Sequence, residues 1–256
     1  MSSKHSLLLK AVSRFFLTCC LVTLALYSAR YQEVQAGVGM WTSIPSMHYG
    51  RFGHTATYLE SGPDAGTVLV VGGSLDITLP LGQSATGIGV NVSSFGSSQF
   101  GSTASETSEL YDPTNPTTPW SLTADLNIPR LYHTATLISG DRVLIAGGTN
   151  GDSTSGLNSA EIYDPTGGPG GTPIFLQTTN TMAHPHISAT ATLLDNGNVL
   201  VAGGYIGDQY SGSATNTVEI YSTAAGTWSS AATMHHARVY HTATLVHLEG
   251  DPVGKV

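Results

Sequence analysis

Basic side chains recur at matching positions along this sequence. Three arginines are each followed three residues later by a histidine; the pairs are Arg51 and His54, Arg130 and His133, and Arg238 and His241. A guanidinium group binds carboxylates through paired hydrogen bonds, so the three arginines are candidate ligand-binding residues. The alternative is that each arginine pairs with a local acid or with a loop carbonyl.

The three histidines suggest either a site or a structural role. An imidazole can ligate a metal ion or exchange a proton near neutral pH, and three equivalent histidines could meet at one axis. A degenerate fourth copy of the motif carries Ala189 instead, which favours a structural role at the start of a strand. The neighbouring His184, His186, His235 and His236 lack the spacing of a zinc site. We predict no metal and no other cofactor.

The arginines and histidines belong to a unit that repeats along the chain. RFGHTATYLE begins at Arg51, RLYHTATLIS at Arg130 and RVYHTATLVH at Arg238, while HISATATLLD at His186 is the degenerate copy. An apolar run that ends in two glycines follows; these are Gly72 and Gly73, Gly147 and Gly148, and Gly203 and Gly204. A Glu-x-Tyr motif comes next, with Tyr111, Tyr163 or Tyr221.

A tryptophan completes the unit. Trp41, Trp120 and Trp228 each precede the next arginine by ten residues. The same spacing assigns Leu176 to this position in the degenerate copy. The regularity of these spacings predicts one structural unit repeated along the chain.

Each unit contains four short runs with the composition of β-strands. The alternation in HTAT places its histidine and alanine on one face of a strand and its threonines on the other. Paired glycines indicate a strand end that needs positive φ or a close backbone approach, and the tyrosine and tryptophan supply bulk between sheets. A four-stranded sheet cannot bury both faces alone, so the sheets are expected to pack radially against one another.

The motifs R-x-x-H-[TS]-A-T, V-L-[VI]-[VA]-G-G, E-[LI]-Y-D-P and W-x5-M cover residues 40–246. This pattern resembles the kelch-repeat β-propellers, in the bacterial, galactose-oxidase-like style. The resemblance implies an all-β fold with one four-stranded blade per unit, the HTAT strand innermost and the Trp strand outermost. The segments it implies are an outermost strand at about 40–48, blades at about 51–123, 130–178 and 186–231, and the start of a further blade at 238–256.

Three complete blades and parts of a fourth make an incomplete propeller. Val256 aligns with Val68, the first residue of a second strand. We therefore expect a truncated member of the family. The alternative is a chain that closes by self-association, since open blade edges can pair with other chains.

The N-terminal residues have the composition of a signal peptide. Lys4, Lys10 and Arg14 precede the uncharged run from Phe15 to Ala29, which is too short for a typical membrane span. We predict a signal peptide over residues 1–36 and a propeller domain over 37–256, with an uncleaved anchor as the alternative. The protein would be secreted, periplasmic or at the cell surface.

Signal cleavage would remove four of nine basic residues and one of seventeen acidic residues, leaving a formal charge of −11. Such a chain repels nucleic acid and anionic membrane surfaces, so we expect neither as a partner. Both cysteines, Cys19 and Cys20, would also leave. The radical copper oxidases of the resembled fold need a cysteine joined to a tyrosine, which argues against that chemistry.

The function expected from the sequence is a non-catalytic, exported scaffold that presents its loops to a protein or glycan partner. The first alternative is an exported carbohydrate-active enzyme, a sugar isomerase or oxidase by resemblance, with catalytic residues in missing blades. The second is a gene fragment without function. No catalytic acid–base pair can be named from the residues.

Overall fold

Alternating β-branched and apolar residues form three four-stranded antiparallel sheets in a computed structural model. The structure describes residues 43–74, 104–151, 156–207, 212–246 and 256. The predicted signal peptide at 1–36, Trp41 and the insertion at 75–103 lie outside the described residues. The described residues from Ile44 onward cluster into one compact unit.

Each sheet follows chain order in its strand pairing. The first sheet contains β1 (Thr55–Tyr58), β2 (Val68–Val71), β3 (Ser108–Tyr111) and β4 (Trp120–Leu122). The second contains β5 (Thr134–Ile138), β6 (Arg142–Ala146), β7 (Ala160–Asp164) and β8 (Ile174–Gln177). The third contains β9 (Thr190–Leu193), β10 (Val199–Ala202), β13 (Val218–Ser222) and β14 (Thr227–Ser230). A two-stranded ribbon of β11 (Tyr205–Ile206) and β12 (Ser213–Ala214) extends from the third sheet's central loop, and a 3-10 turn covers Pro169–Gly171.

The strand order confirms the kelch-type arrangement predicted for three complete blades. The HTAT motifs form β1, β5 and β9, the first strands of the three sheets. β1 contacts β5, and β5 contacts β9, so these first strands lie next to one another. The Glu-x-Tyr strands are third in each sheet, and the strands that contain Trp120, Phe175 or Trp228 are fourth.

Two apolar layers hold neighbouring sheets together. Between the first and second sheets, Leu69 and Val71 pack with Val143, Ile145 and the Tyr163 ring. The corresponding residues form the layer between the second and third sheets; they are Leu144, Ala146, Val199, Val201 and Tyr221. Residues two apart along a strand share a face, so alternate residues of the second sheet face the first sheet and the third.

The paired glycines lie where one unit meets the next. The N–H groups of Gly73, Gly148 and Gly204 donate to the carbonyls of Arg130, His186 and Arg238, at 2.9, 2.9 and 2.8 Å. All six glycines have positive φ. A Cβ on Gly203 would lie 2.6 Å from the Arg238 carbonyl oxygen, so this close approach requires glycine.

The aromatic position of the second sheet differs from the prediction. Tyr163 pairs in register with Phe175, and the ring centroids are 5.2 Å apart. Tyr111 with Trp120 and Tyr221 with Trp228 form the equivalent pairs. Leu176 is exposed, so assigning it to the tryptophan position was wrong. One extra residue between this strand and the following loop shifts the count by one.

The two terminal segments of the predicted propeller lie outside the strands. Residues 43–50 and 238–245 are extended or bent without strand pairing. The first of these segments is held by side chains instead, because the Trp120 indole N–H donates to the Pro45 carbonyl at 2.9 Å. The second keeps its place through the Arg238 N–H, which donates to the Thr215 carbonyl at 3.1 Å.

Candidate functional site

The structure places Arg51 and Arg130 inside the sheets. The Arg51 Nη2 lies 2.7 Å from Glu109 Oε1, and the Arg130 Nη2 lies 2.8 Å from Glu161 Oε1. All four side chains are fully buried. These two arginines therefore cannot contribute to a ligand-binding ring. The alternative prediction, that each arginine pairs with a local acid, is correct for Arg51 and Arg130. A buried guanidinium group needs such a charged partner.

Each of these guanidinium groups also joins two strands of its own sheet. The Arg130 Nη1 donates to the carbonyls of Gly147 and Ser159, at 2.9 and 3.1 Å. The Arg51 Nη1 donates to Gly72 and Thr107 in the same way, at 2.8 and 2.9 Å. The planar fork of arginine fits these diverging acceptors, so each arginine fastens the ends of its second and third strands.

Every glutamate of the Glu-x-Tyr motif accepts two consecutive backbone N–H groups from the loop before its own unit. Glu109 accepts from His48 and Tyr49, at 2.8 and 3.3 Å. The second and third units repeat the geometry: Glu161 accepts from Asn127 and Ile128, at 2.7 and 3.0 Å, and Glu219 from Ala183 and His184, at 2.7 and 3.0 Å. We call this arrangement of two N–H groups and one side-chain donor the carboxylate cradle.

The degenerate unit replaces arginine with histidine in its cradle. His186 is fully buried; its Nε2 lies 3.2 Å from Glu219 Oε1, and its Nδ1 lies 2.7 Å from the Gly203 carbonyl oxygen. The imidazole thus reaches the same two kinds of acceptor as the guanidinium. Desolvation raises the pKa of Glu219, but hydrogen bonds from His186, Ala183 and His184 outweigh it and hold the pKa below its ordinary value.

Arg238 differs from the other two arginines because its side chain is exposed. Its neighbours His235 and His236 are exposed as well. Within the part of the chain that the structure describes, no carboxylate lies in contact with this loop. Of the three predicted ligand-binding arginines, only Arg238 presents its guanidinium to solvent.

The repeated histidines link neighbouring sheets through threonine. The His133 Nε2 lies 2.8 Å from Thr55 Oγ1 of β1, and the His241 Nε2 lies 3.0 Å from Thr190 Oγ1 of β9. Burial lowers the pKa of His133 to about 3, assisted by the charge of Arg130. His133 is therefore neutral at physiological pH.

A pocket of about 340 Å³ opens where the first strands begin. Its lining comes from two adjacent repeat positions in all four units, and we call it the central pocket. The first position contributes Gly53, Tyr132, Ser188 and Tyr240, and the second contributes His54, His133, Ala189 and His241. The repeat thus brings the predicted histidines of all three complete motifs to one place.

Residues at the first lining position adopt a left-handed backbone. The φ angles are 55° at Tyr132, 53° at Ser188 and 53° at Tyr240. Such angles are uncommon for residues other than glycine and collect at binding sites and switch regions. Backbone hydrogen bonds between neighbouring units support this conformation. The N–H groups of Tyr132, Ser188 and Tyr240 donate to the backbone carbonyls of Gly53, Tyr132 and Ser188, at 2.9, 2.9 and 3.3 Å respectively.

Polar and aromatic groups are both available at the central pocket. The Tyr240 side chain is 71% exposed, and its ring lies edge-on to Tyr205 at 6.0 Å. Three lining atoms, His133 Nδ1, Ser188 Oγ and His241 Nδ1, are buried without a hydrogen-bond partner. Buried polar atoms normally have one, so these atoms could accept or donate to a bound group.

The structure bears on two further features of the chain. Among the described residues, no group of three or more His, Cys, Asp or Glu side chains is arranged to hold a metal ion. None of the helical segments in the described ranges is long and apolar enough to cross a membrane.

Sequence reasoning missed the tyrosines and the serine that line the central pocket. The signal was present, because Gly53 stands in the first unit where Tyr132, Ser188 and Tyr240 stand in the others. A glycine at a repeated position indicates that the position needs positive φ. The glutamates of the Glu-x-Tyr motif were likewise visible as acids that recur once in each complete unit.

Comparison with known proteins agrees with the repeat. The kelch motif matches residues 130–168 and 188–235, which contain β5 to β7 of the second sheet and all four strands of the third. No curated protein matches the chain. Kelch repeats form β-propeller blades and commonly mediate protein binding. The chain therefore contains kelch repeats at residues 130–168 and 188–235, and its three four-stranded sheets agree with them.

Proposed function

We propose that this protein is an exported binding module whose central pocket takes a protein or glycan partner. The observation that carries the proposal is the left-handed backbone that three units share at Tyr132, Ser188 and Tyr240. Each such residue costs of order 1–3 kcal/mol. Residues with this backbone conformation contribute two tyrosines and a serine to the pocket lining.

The chemistry of the lining suits such partners. Tyrosine supplies a rigid apolar surface with one polar end, which is why it is enriched at protein interfaces. The same ring face stacks on apolar sugar faces, while serine and histidine offer hydrogen bonds. The pocket lining contains no acidic side chain, so its recognition would depend on neutral groups.

Photocrosslinking tests the pocket as a binding surface. Benzoylphenylalanine would replace Tyr240, and a matched control would replace Leu122, which is 56% exposed on the outermost strand β4. We expect crosslinks to a discrete extracellular protein from position 240 only, and their loss on changing Tyr132→Ala. Equal crosslinking from position 122 would contradict the proposal. A glycan array probed with the chain and with Tyr240→Ala tests the sugar partner separately.

Export has its own test. Expression of the full chain with its N-terminal residues, followed by N-terminal sequencing of the product, should give a chain that starts at Gly37. The apolar run from Phe15 to Ala29 supports this expectation. A cytoplasmic product that starts at the N-terminus would contradict it.

A further inference from the structure

The wall of the central pocket differs from its other walls where the second and third sheets meet. At the junction before it, the His133 imidazole extends to the first sheet, with its Nε2 2.8 Å from Thr55 Oγ1. At the junction after it, the His241 imidazole reaches Thr190 Oγ1 in the same way, at 3.0 Å. The third sheet has Ala189 at this repeat position, and a methyl group is too short to reach the second sheet.

The backbone at this junction is nevertheless the same as at the other two. The Ser188 N–H donates to the Tyr132 carbonyl at 2.9 Å, as the Tyr132 N–H donates to the Gly53 carbonyl at 2.9 Å. The φ angles of Ser188 and Tyr132 are 53° and 55°. The Gly148 N–H donates to the His186 carbonyl at 2.9 Å, and the equivalent bonds at the other junctions are 2.9 and 2.8 Å long. The junctions therefore differ in the side chain and not in the backbone that positions it.

The place of the missing imidazole is not taken by another ring of the described residues. At the first junction, the His133 Cε1 lies 3.0 Å from where a Cβ on Gly72 would be. The imidazole of the last junction lies 2.8 Å from the equivalent point on Gly203. The three atoms nearest to that point on Gly147, up to 3.3 Å away, are backbone atoms and the Cβ of His186. Within the described part of the chain, no imidazole covers this glycine as it does the other two.

Two hydroxyl groups at this junction remain available to a bound group. Thr134 corresponds to the two threonines that contact imidazoles, but its hydroxyl donates to the Ala146 carbonyl at 3.3 Å instead, which leaves its lone pairs as acceptors. Ser188 Oγ is buried without a hydrogen-bond partner among the described residues, and buried hydroxyl groups normally have one. Ser188 and Ala189 both line the central pocket. We call the place bounded by Thr134, Ser188 and Ala189 the Ala189 notch.

The notch is a feature of two complete sheets. It lies between β5 and β9, and all eight strands of the second and third sheets are among the described residues. A five-membered ring with a polar nitrogen already fits the equivalent place at two other junctions. The histidine side chain is the protein group with that shape and that nitrogen.

We propose that the Ala189 notch binds a histidine side chain of a protein partner. The imidazole would lie beside Ala189, as the chain's own imidazoles lie at the other junctions, and would donate its N–H to Thr134 Oγ1. Ser188 Oγ would supply a second hydrogen bond. The inference rests on the function proposed for the central pocket and names the side chain of the partner that enters it.

The first experiment uses 4-methylimidazole, the analogue of the histidine side chain, as the probe. Its binding to the full chain would be measured by ligand-observed NMR and by the melting temperature. We expect saturable binding with a dissociation constant of about 1–10 mM, since a ligand of this size makes few contacts, and a melting temperature that rises with probe concentration. Ala189→His should weaken binding at least tenfold, because the new imidazole occupies the notch at high effective concentration.

A matched pair of threonine variants tests the hydrogen bond. Thr134→Val removes the proposed acceptor and should weaken binding of 4-methylimidazole about fivefold or more. Thr136→Val changes the same face of β5 two residues further along the strand and should leave binding within about twofold. Circular dichroism would check that each variant folds. No saturable binding up to about 50 mM probe, unchanged binding by Ala189→His, or equal losses for the two threonine variants would each overturn the inference.

A second experiment separates this inference from the function proposed for the pocket. Crosslinking from benzoylphenylalanine at position 240 would be repeated in the Ala189→His chain and with added 4-methylimidazole. Both should reduce the crosslinked product at least tenfold. Crosslinks that persist in Ala189→His would overturn the histidine inference and leave the pocket function standing. If the chain with Ala189 gives no crosslinks, the proposed pocket function is contradicted, and binding of 4-methylimidazole alone decides whether the notch accepts an imidazole.

Discussion

The buried ion pairs decide how the individual residues contribute to stability. Arg130 and Glu161 have lost their water, so each is tolerable only while the other is present. Glu161 also accepts the Asn127 and Ile128 N–H groups, at 2.7 and 3.0 Å. The pair therefore joins a loop, a glycine turn and a strand, and removing one partner leaves several groups without their acceptor or donor.

Changing Arg130→Met should lower the free energy of unfolding by about 3–5 kcal/mol, because Glu161 would remain buried without its cation. Arg130→His should cost less, since His186 shows that an imidazole can reach a glutamate and a glycine carbonyl from this position. Urea unfolding measures both. Arg142→Met is the matched control, expected to change stability by about 0.5 kcal/mol or less. An equal loss for Arg130→Met and Arg142→Met would contradict the structural role.

His133 should make the protein less stable as the pH falls below about 6.5. Its pKa is about 3 in the folded state and near 6.5 when unfolded. Between these values the unfolded chain binds a proton that the folded chain excludes, so the free energy of unfolding falls by up to about 1.4 kcal/mol per pH unit. Urea unfolding between pH 7.5 and 5 measures this slope above the range where the glutamates titrate.

The variant His133→Gln should flatten that slope, because it removes the titrating group. Thr55→Val provides the control. It removes the hydroxyl that contacts the His133 Nε2 but leaves the imidazole buried, so stability should drop while the slope stays. A slope unchanged in His133→Gln would show that other groups cause the acid sensitivity.

At the scale of the elements, the glycine pairs limit how closely two units approach. The Gly147 φ is 70°, and a Cβ there would overlap the His186 carbonyl oxygen. Gly170 has a φ of 72°, and a Cβ there would meet no atom within 4 Å. The two positions have nearly the same positive φ but differ in the space beside the glycine.

Gly147→Ala should therefore destabilise the protein much more than Gly170→Ala. The alanine at 170 meets only the left-handed backbone, which costs about 1–2 kcal/mol. At 147 the added methyl also displaces the strand-to-loop contact between the second and third units. Thermal and urea unfolding of both variants would measure the difference. Equal losses would show that the backbone conformation alone requires glycine at 147.

At the scale of the whole molecule, stability comes from the layers between sheets. Leu144 is 1% exposed in the layer between the second and third sheets, whereas Leu122 is 56% exposed on β4. Leu144→Ala should cost about 2–5 kcal/mol, and Leu122→Ala about 0.5 kcal/mol or less. Urea unfolding followed by tyrosine and tryptophan fluorescence would measure both. A similar cost at both positions would mean that the second and third sheets do not stabilise each other.

The sequence alone determined the strands, their order and the sheet faces. These features follow from local patterns: alternation sets the faces of a strand, glycine pairs mark its end, and the repeat supplies at least three parallel observations of each. The position of Phe175 escaped the count because one inserted residue changes a spacing without changing the strand. Counting ten residues back from His186 selects Leu176, whereas the register of the paired strands shows that Phe175 lies opposite Tyr163.

Only the tertiary structure decided what the repeated charged residues do. The sequence shows Arg51, Arg130 and Arg238 as equivalent, yet two are buried against glutamates and one is exposed. The glutamate that neutralises each buried arginine lies 58 or 31 residues away along the chain. The distance in space between the glutamate carboxylate and the arginine guanidinium depends on how the strands of the sheet pair. A charged side chain is structural when the fold buries it against a partner, and it is available for binding when the fold leaves it exposed. Burial depends on the packing of residues that are distant in the sequence, so a local sequence pattern does not reveal it.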